Sequence, residues 1–202
     1  SFLCYAESVL SGTTTVVDMW RYMEGSARAA QQIGNRTVMV PYVGEHPDYD
    51  YFDHLDDTEA LLETWHGGAN GRVEVWVGLE HAFYATEPAH ARAIALAQKF
   101  GTGFHTHSNE AEVELREMQR RYGCRSIPAL EKLGLLDAPR TLLAHCVWLN
   151  DDEIDLMARR GVAVAHNPTS NMKLASGAAP VARLRHAGVA VGRRHSGQPG
   201  QH

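Results

Sequence analysis

The sequence predicts an α/β protein, a partial (β/α)8 TIM-type barrel, and three observations carry that prediction. Seven short β-branched or apolar runs alternate with amphipathic segments along the whole chain, the pattern of a parallel sheet with helical crossovers. The strand runs are apolar almost throughout, as expected where both faces of a sheet are covered. Polar residues recur where those runs end, at Asp18, Glu45 or His46, His81, His107, His145 and Asn167. Drawing chemical groups from the ends of many strands is what a barrel does. No glycine-rich phosphate fingerprint follows the first run, which argues against a dinucleotide-binding doubly wound sheet. At 202 residues, the chain is one or two β/α units short of the roughly 250 residues of such a barrel.

The first strand is expected over Thr13–Asp18, followed by a helical stretch through Ala29 and Ala30 that stops near Gly34. A second strand runs from Thr37 to Val43, then a helical segment from Asp57 to Trp65, then a third strand from Val73 to Leu79. The next helix starts at Pro88, with Thr86 as its cap, and covers Ala91–Phe100; proline is favoured in a first helical turn. Gly103–His107 is the fourth strand and Glu110–Arg121 a helix ended by Gly123. Thr141–Val147 is again apolar and extended. Asn150-Asp151-Asp152-Glu153 has the form of a capping box, opening a helix to Arg160 with Gly161 just beyond it. Val162–Ala165, a helix over Pro180–His186, and a last strand at Val189–Val191 complete the series.

Composition narrows the function classes. Hydrophobic residues make up 44% and charged residues 21%, ordinary globular usage that excludes a disordered tail or a fibrous repeat. No apolar run approaches the roughly 20 residues of a membrane helix, so no membrane partner is expected. A net charge of −5 and a pI near 6.2 give no basic footprint for nucleic acid. Cys4, Cys124 and Cys146 cannot close a disulfide framework, which points to a reducing cytoplasm. The opening residues SFLCYAESVL begin without Met, lack the basic start of a signal peptide, and read as the interior of something longer. Twelve histidines stand against three lysines, an excess that invites a search for a metal or acid–base site.

Three clusters answer that search. In His105-Thr106-His107-Ser108-Asn109-Glu110 the two histidines share a strand face, and Glu110 lies where the strand turns into its helix. Neutral imidazole is a good zinc ligand and a nearby carboxylate the usual proton carrier for water activated by the metal. The alternative is a chance HxH in a histidine-rich chain. In Leu142-Leu143-Ala144-His145-Cys146-Val147-Trp148 an imidazole sits within an apolar strand, which is unfavourable unless it is bonded or ligated. It is either a satisfied core residue or part of a site shared with His107. Cys146 points to the other face, as packing. In the third cluster, His166 to Gly177, Pro168 stops the strand and a Ser/Asn-rich loop presents polar groups to the barrel mouth, or is simply a βα loop.

The strings AHCVWLNDDEI, VAVAHNPTSNMKLASGAAPV and LRHAGVAVG, with SGTTTVVDM and GLEHAFYAT before them in the same order, resemble the amidohydrolase superfamily. Within it the likeness is to the branch of S-adenosylhomocysteine/methylthioadenosine deaminases, guanine-type deaminases and triazine hydrolases. It runs from about Leu10 to Gly192. The resemblance implies a barrel covering about strands 2 to 7 and the start of strand 8. It implies a divalent metal, zinc with iron as the alternative, and His107 as a metal ligand. Glu110 would shuttle a proton, His145 would stabilise the attacked centre, and His81 would contact the substrate heterocycle. The implied reaction is deamination of a purine-, pterin- or triazine-like small molecule with release of ammonia. Dechlorination of a triazine is the alternative. Relatives are often homo-oligomers.

The resemblance also implies residues that do not align with this chain. The family's strand-one HxH would precede Ser1, and its strand-eight Gly-Thr-Asp gives way to the polar stretch Arg193–His202. The expected division is therefore an incomplete barrel domain over 1–192 and an off-pattern tail over 193–202, the latter a mis-joined or a divergent end. One imidazole does not make a tight zinc site, so the chain alone is expected to be inactive or very weak. His105 and His46 are left open as pocket residues. His54, His66, His90, His186, His195 and His202 are expected in solvent or loops. The acidic, aromatic stretch Asp48–Asp57 reads as a surface loop, with a lid as the sharper alternative.

Overall fold

The seven strand runs fold as one series of parallel strands in chain order, seen in a computed structural model that describes residues 1–48 and 51–193. The elements are α1 (Phe2–Leu10), β1 (Thr15–Trp20), α2 (Glu24–Ile33), β2 (Arg36–Pro41), α3 (Leu55–Trp65) and the single turn α4 (Gly68–Gly71). They continue with β3 (Val73–Val75), β4 (Val77–Gly78), α5 (Glu87–Lys99), β5 (Gly103–Ser108), α6 (Glu112–Tyr122), α7 (Ser126–Lys132) and β6 (Arg140–His145). α8 (Asp151–Arg159), β7 (Ala163–His166), α9 (Pro168–Lys173), α10 (Val181–His186) and β8 (Val191–Arg193) complete the described chain. The order is β1-β2-β3 in one sheet and β4-β5-β6-β7-β8 in the other, with every pairing parallel. Among the described residues no helix is long and apolar enough to cross a membrane.

The strand expected over Val73–Leu79 is divided at Trp76, where one sheet ends and the other begins. The backbone stays connected there, since the Trp76 amide donates to the Met39 carbonyl at 2.8 Å. The indole lies across Gly103 of the neighbouring strand, and a Cβ on Gly103 would fall 2.3 Å from its Cε3 atom. The Arg140 guanidinium stacks over the same ring at 4.9 Å. Gly78 serves the seam in the same way, because a Cβ there would sit 2.3 Å from Val40 Cγ1 on β2.

Helix ends follow the local chemistry. α8 closes a capping box: Asn150 Oδ1 accepts the Glu153 amide at 2.9 Å, and Glu153 Oε2 accepts the Asn150 amide at 3.1 Å. α6 has Glu112 and Glu114 in its first turn and Arg120 and Arg121 in its last, matching its dipole. It stops at Gly123, with φ +71°. The helices cover the strands with a continuous apolar layer in which Met39, Leu79, Phe104, Met118, Ile127, Leu143, Met157 and Leu184 are fully buried.

Besides the single turn α4, three helices were not expected. α1 forms in the opening residues and is tied down by Tyr5, whose hydroxyl donates to Asp18 Oδ2 at 2.6 Å. α7 is a short piece with no sequence periodicity to speak of. α9 occupies the stretch read as a loop, because Pro168 does not merely end β7 but opens the next helix. β8 extends to Arg193, whose backbone pairs with His166, so the first residue assigned to the tail belongs to the sheet. The rest of that tail, with His195 and His202, lies outside the described residues.

The Asp48–Asp57 stretch is more than a surface loop. Phe52 is buried on Gly44, with its ring 5.2 Å from Tyr42 and 5.2 Å from Tyr84, and Leu55 enters the core. Tyr49 and Asp50, part of the lid alternative, lie outside the described residues.

Candidate active site

β4, β5 and β6 end side by side, and their C-terminal ends bring His81, His107, Glu110 and His145 together. The His107 ring lies 5.4 Å from His81, nearly parallel to it, and 5.3 Å from His145. Glu110 Oε1 is 3.5 Å from His145 Nε2. His105 sits one pleat below His107 at 6.1 Å, fully buried, with Nδ1 donating to the Leu142 carbonyl at 2.8 Å. His46 turns instead towards its own loop, where its Nδ1 accepts the Asp48 amide.

His145 reaches this group through an unusual backbone. Its register partner is Ser108, and in a regular pleat it would face the same way as Ser108, opposite to His107. Its φ is +70° and that of Cys146 is +50°, a left-handed pair that side chains with a Cβ rarely adopt. The imidazole is thereby brought beside His107, where its Nδ1 donates to Asn171 Oδ1 at 2.7 Å and its Nε2 faces Glu110. Cys146 is buried in the core as expected, and burial pushes its thiol up.

His81 and His107 carry opposite electrostatics. Burial alone lowers the His81 pKa, but the hydrogen bond and charge of Glu80, with Glu114 and Glu110 behind them, raise it above the ordinary value. The contacts are Nδ1 to Glu80 Oε2 at 2.6 Å and Nε2 to Glu114 Oε2 at 3.8 Å. His107 is held well below the ordinary value by burial first and by the three neighbouring imidazoles next. Its Nδ1 donates to the Glu80 carbonyl at 2.9 Å, which fixes the tautomer with the lone pair on Nε2. Phe83 and Tyr84 stand against His81 at 4.8 and 5.9 Å, and Tyr42, its hydroxyl pushed up by burial and by Glu80, continues that aromatic wall.

Glu80, His81 and His107 place possible donor atoms within 4.8 Å of one another. Glu80 and His81 are joined to each other through Nδ1 and Oε2. His107 is different: it is neutral, its second nitrogen is anchored on a carbonyl, and this is the arrangement of a metal-ligating histidine. The donor chemistry thus fits a divalent cation at His107, with Glu80 behind it.

Glu80, Glu114 and Asn171 were not singled out from sequence. Glu80 adjoins His81, and Asn171 belongs to the HNPTSNMKLASG string, so adjacency to a recognised motif was the available signal. His90 is a correction: expected in solvent or a loop, it is buried in α5 and donates Nε2–H to the Ala82 carbonyl at 2.7 Å. It lies on the apolar stripe with Ile94 and Ala97, a helical spacing that was readable. His66 is half-buried within reach of the Val75 amide, whereas His54 and His186 are exposed as expected.

Burial also lowers the His90 pKa. An unfolded histidine takes up a proton below about pH 6.5, while buried His90 and His107 stay neutral, so the chain loses stability as pH falls through that value. His81, shifted upward, acts in the opposite sense, stabilising at low pH and losing that contribution as pH rises through its folded value. His90→Gln keeps a donor for the Ala82 carbonyl and removes one acid-labile group. The difference in urea stability between pH 7.5 and 5.5 is expected to shrink by at most about 1.4 kcal/mol; an unchanged difference would show that His90 titrates alike in the folded and unfolded chain.

The model of the amidohydrolase family matches residues 2–193. A 5-methylthioadenosine/S-adenosylhomocysteine deaminase of Caldanaerobacter subterraneus subsp. tengcongensis is 40% identical over 193 residues, covering 95% of this chain and 44% of that protein. The chain therefore spans less than half the length of that curated relative. Among solved structures, an adenosine deaminase from Xanthomonas campestris with bound zinc superposes with a TM-score of 0.86 at 26% identity, over 95% of this chain and 44% of that one. The zinc complex of the atrazine chlorohydrolase from Arthrobacter aurescens TC1 gives 0.83 at 25%, over 95% and 47%.

Proposed function

The chain belongs to the amidohydrolase family, and on that premise we propose that its histidine cluster serves an aminohydrolase, which replaces an amino group on a nitrogen heterocycle with oxygen from water and releases ammonia. The single observation that carries this reading is the Glu110 carboxylate, 3.5 Å from His145 Nε2, with the His107 ring 5.3 Å from that of His145. The likeness to deaminases of adenosine derivatives favours a purine nucleoside as substrate, with pterin- and triazine-like rings as alternatives.

His107 would hold the metal through Nε2, with zinc favoured over iron. A divalent cation there supplies Lewis acidity, making water acidic enough to attack near neutral pH. Glu110 takes the proton from the attacking water and delivers it to the departing nitrogen, so that a C–O bond forms, the C–N bond breaks and ammonia leaves. His145, locked by Asn171, presents Nε2 to the charge that develops at the attacked carbon. His81, bonded to Glu80 and backed by Phe83 and Tyr84, faces the ring and donates to one of its nitrogens. Three free cysteines suit a reducing cytoplasm.

Within the trio of possible donors, His81 is engaged by Glu80 and His107 is the imidazole proposed to bind, and one imidazole is too few for tight zinc binding. The 202-residue chain is therefore expected to bind zinc weakly and to release ammonia slowly, at a rate that rises with added zinc. The check is zinc titration coupled to an ammonia assay with 5-methylthioadenosine, S-adenosylhomocysteine, guanine and a triazine. Zinc that survives dialysis near one equivalent overturns the weak-site expectation. Chloride release in place of ammonia from a chlorotriazine reassigns the chemistry to dechlorination, and no ammonia at any zinc concentration defeats the aminohydrolase reading.

A further inference from the structure

Glu110 stands on a short, unusual piece of chain. Asn109 has a φ of +54°, so the backbone turns sharply between the end of β5 and the residue proposed to carry the proton. The Asn109 side chain is held by the Trp148 carbonyl and Glu153 Oε1, both at 3.2 Å, but neither contact orients the peptide that follows.

The Asn109 carbonyl accepts the Val147 and Trp148 amides, both at 2.9 Å, and the amides of the turn go to Glu114, which is only 5% exposed. Its Oε1 accepts the Asn109 amide at 2.8 Å and its Oε2 the Glu110 amide at 2.7 Å. Oε1 also accepts the Ser126 hydroxyl at 2.9 Å, and Oε2 lies 3.8 Å from His81 Nε2. Glu114 is the third residue of α6, whose N-cap, Ala111, has no side-chain acceptor. A carboxylate at that position ordinarily reaches back to the N-cap amide. Here it reaches one and two residues further, to the two amides on either side of the Asn109 Cα. A buried carboxylate is costly unless its oxygens are bonded, and this one is bonded by the backbone of the turn it shapes.

We propose that Glu114 is a positioning residue, a two-oxygen clamp that fixes the Asn109–Glu110 turn so that the Glu110 carboxylate stands opposite His145. The catalytic part of this inference rests on the aminohydrolase reading, and the structural part does not. Glu114 touches no reacting atom; its hydrogen bonds act on Glu110, its charge also bears on His81, and the turn amides separate the first effect from the second.

Glu114→Gln tests it, because an amide of the same shape has one acceptor oxygen for two backbone donors. In the 202-residue chain, the hydrogen-exchange protection of the Asn109 and Glu110 amides is measured by NMR beside that of His105 and Thr106. Ammonia release at saturating zinc is followed in parallel. Protection at the turn is expected to fall about tenfold or more, with the strand amides unchanged. The kcat is expected to fall about 10²-fold, as for a catalytic group displaced by an ångström, with a smaller change in KM. Glu114→Asp, which keeps both oxygens one methylene short, recovers part of each loss and stands in if the glutamine variant does not fold. Ser126→Ala removes the third bond to the same carboxylate and leaves turn protection and kcat near the parent values. Turn protection retained in Glu114→Gln overturns the clamp. Lost protection with kcat unchanged overturns its catalytic role. If the parent chain releases no ammonia, the aminohydrolase reading fails while the exchange data still decide the clamp.

Discussion

Glu110→Gln is expected to lower kcat for ammonia release about 10²–10⁴-fold, the range for loss of a general acid–base group. Zinc affinity should stay within about twofold, since the proposed ligand is His107 and an isosteric change at Glu110 leaves that ligand in place. The glutamine keeps the shape of the side chain facing His145 but cannot accept the proton of water or return it to the leaving nitrogen. Paired assays of turnover and zinc affinity separate these effects. A fall of less than tenfold would remove Glu110 from the proton path and move attention to Glu80, the other carboxylate at the cluster.

The largest stability loss is expected from Glu153→Ala, at about 3–5 kcal/mol, the range for breaking a buried charged network from one side. Glu153 is 1% exposed. Its Oε2 accepts Arg125 Nε at 2.9 Å and the Asn150 amide at 3.1 Å, and its Oε1 accepts Asn109 Nδ2 at 3.2 Å and the Ile127 amide at 3.4 Å. One carboxylate thus joins the start of α7, the cap of α8 and the turn after β5. Alanine leaves several buried donors without acceptors at once, and each such group costs about 1–3 kcal/mol. Glu117→Ala supplies the comparison, because its pairs with Arg120 and Arg121 lie at the surface of α6 and such pairs contribute about 0–1 kcal/mol. Urea midpoints with an unchanged m-value measure both. Equal effects of the two substitutions would refute the asymmetry.

Every strand run found in the sequence is a strand, because continuous apolar, β-branched segments have few other ways to bury both faces. The capping box of α8 and the stop of α6 at Gly123 were equally legible, being local chemistry. The helices that escaped, α1, α7 and α9, are short. Their order comes from contacts distant in sequence, such as Tyr5 on Asp18, and Pro168 is compatible with both ending a strand and opening a helix. At the site, strand periodicity and family likeness singled out His81, His107, Glu110 and His145, and the fold gathers all four. Glu80 and Asn171 adjoin recognised motifs and Glu153 is legible as a cap, but the contacts that Glu114 and Glu153 make beyond their own helices are hidden for a physical reason. An acidic residue in a first helical turn reads as a solvated partner of the helix dipole, and only the tertiary structure shows that Glu114 and Glu153 are buried and bonded to loops elsewhere. The left-handed backbone at His145 has no sequence signal at all.

The seam at Trp76 constrains how this protein can change over generations. Any side chain at position 103 collides with the indole, and loss of the indole beside a retained glycine uncovers the join between the two sheets. The two positions therefore form a single heritable unit. Each order of substitution passes through a less stable intermediate, so lineages of this chain should keep the Trp76–Gly103 pair or exchange both members together.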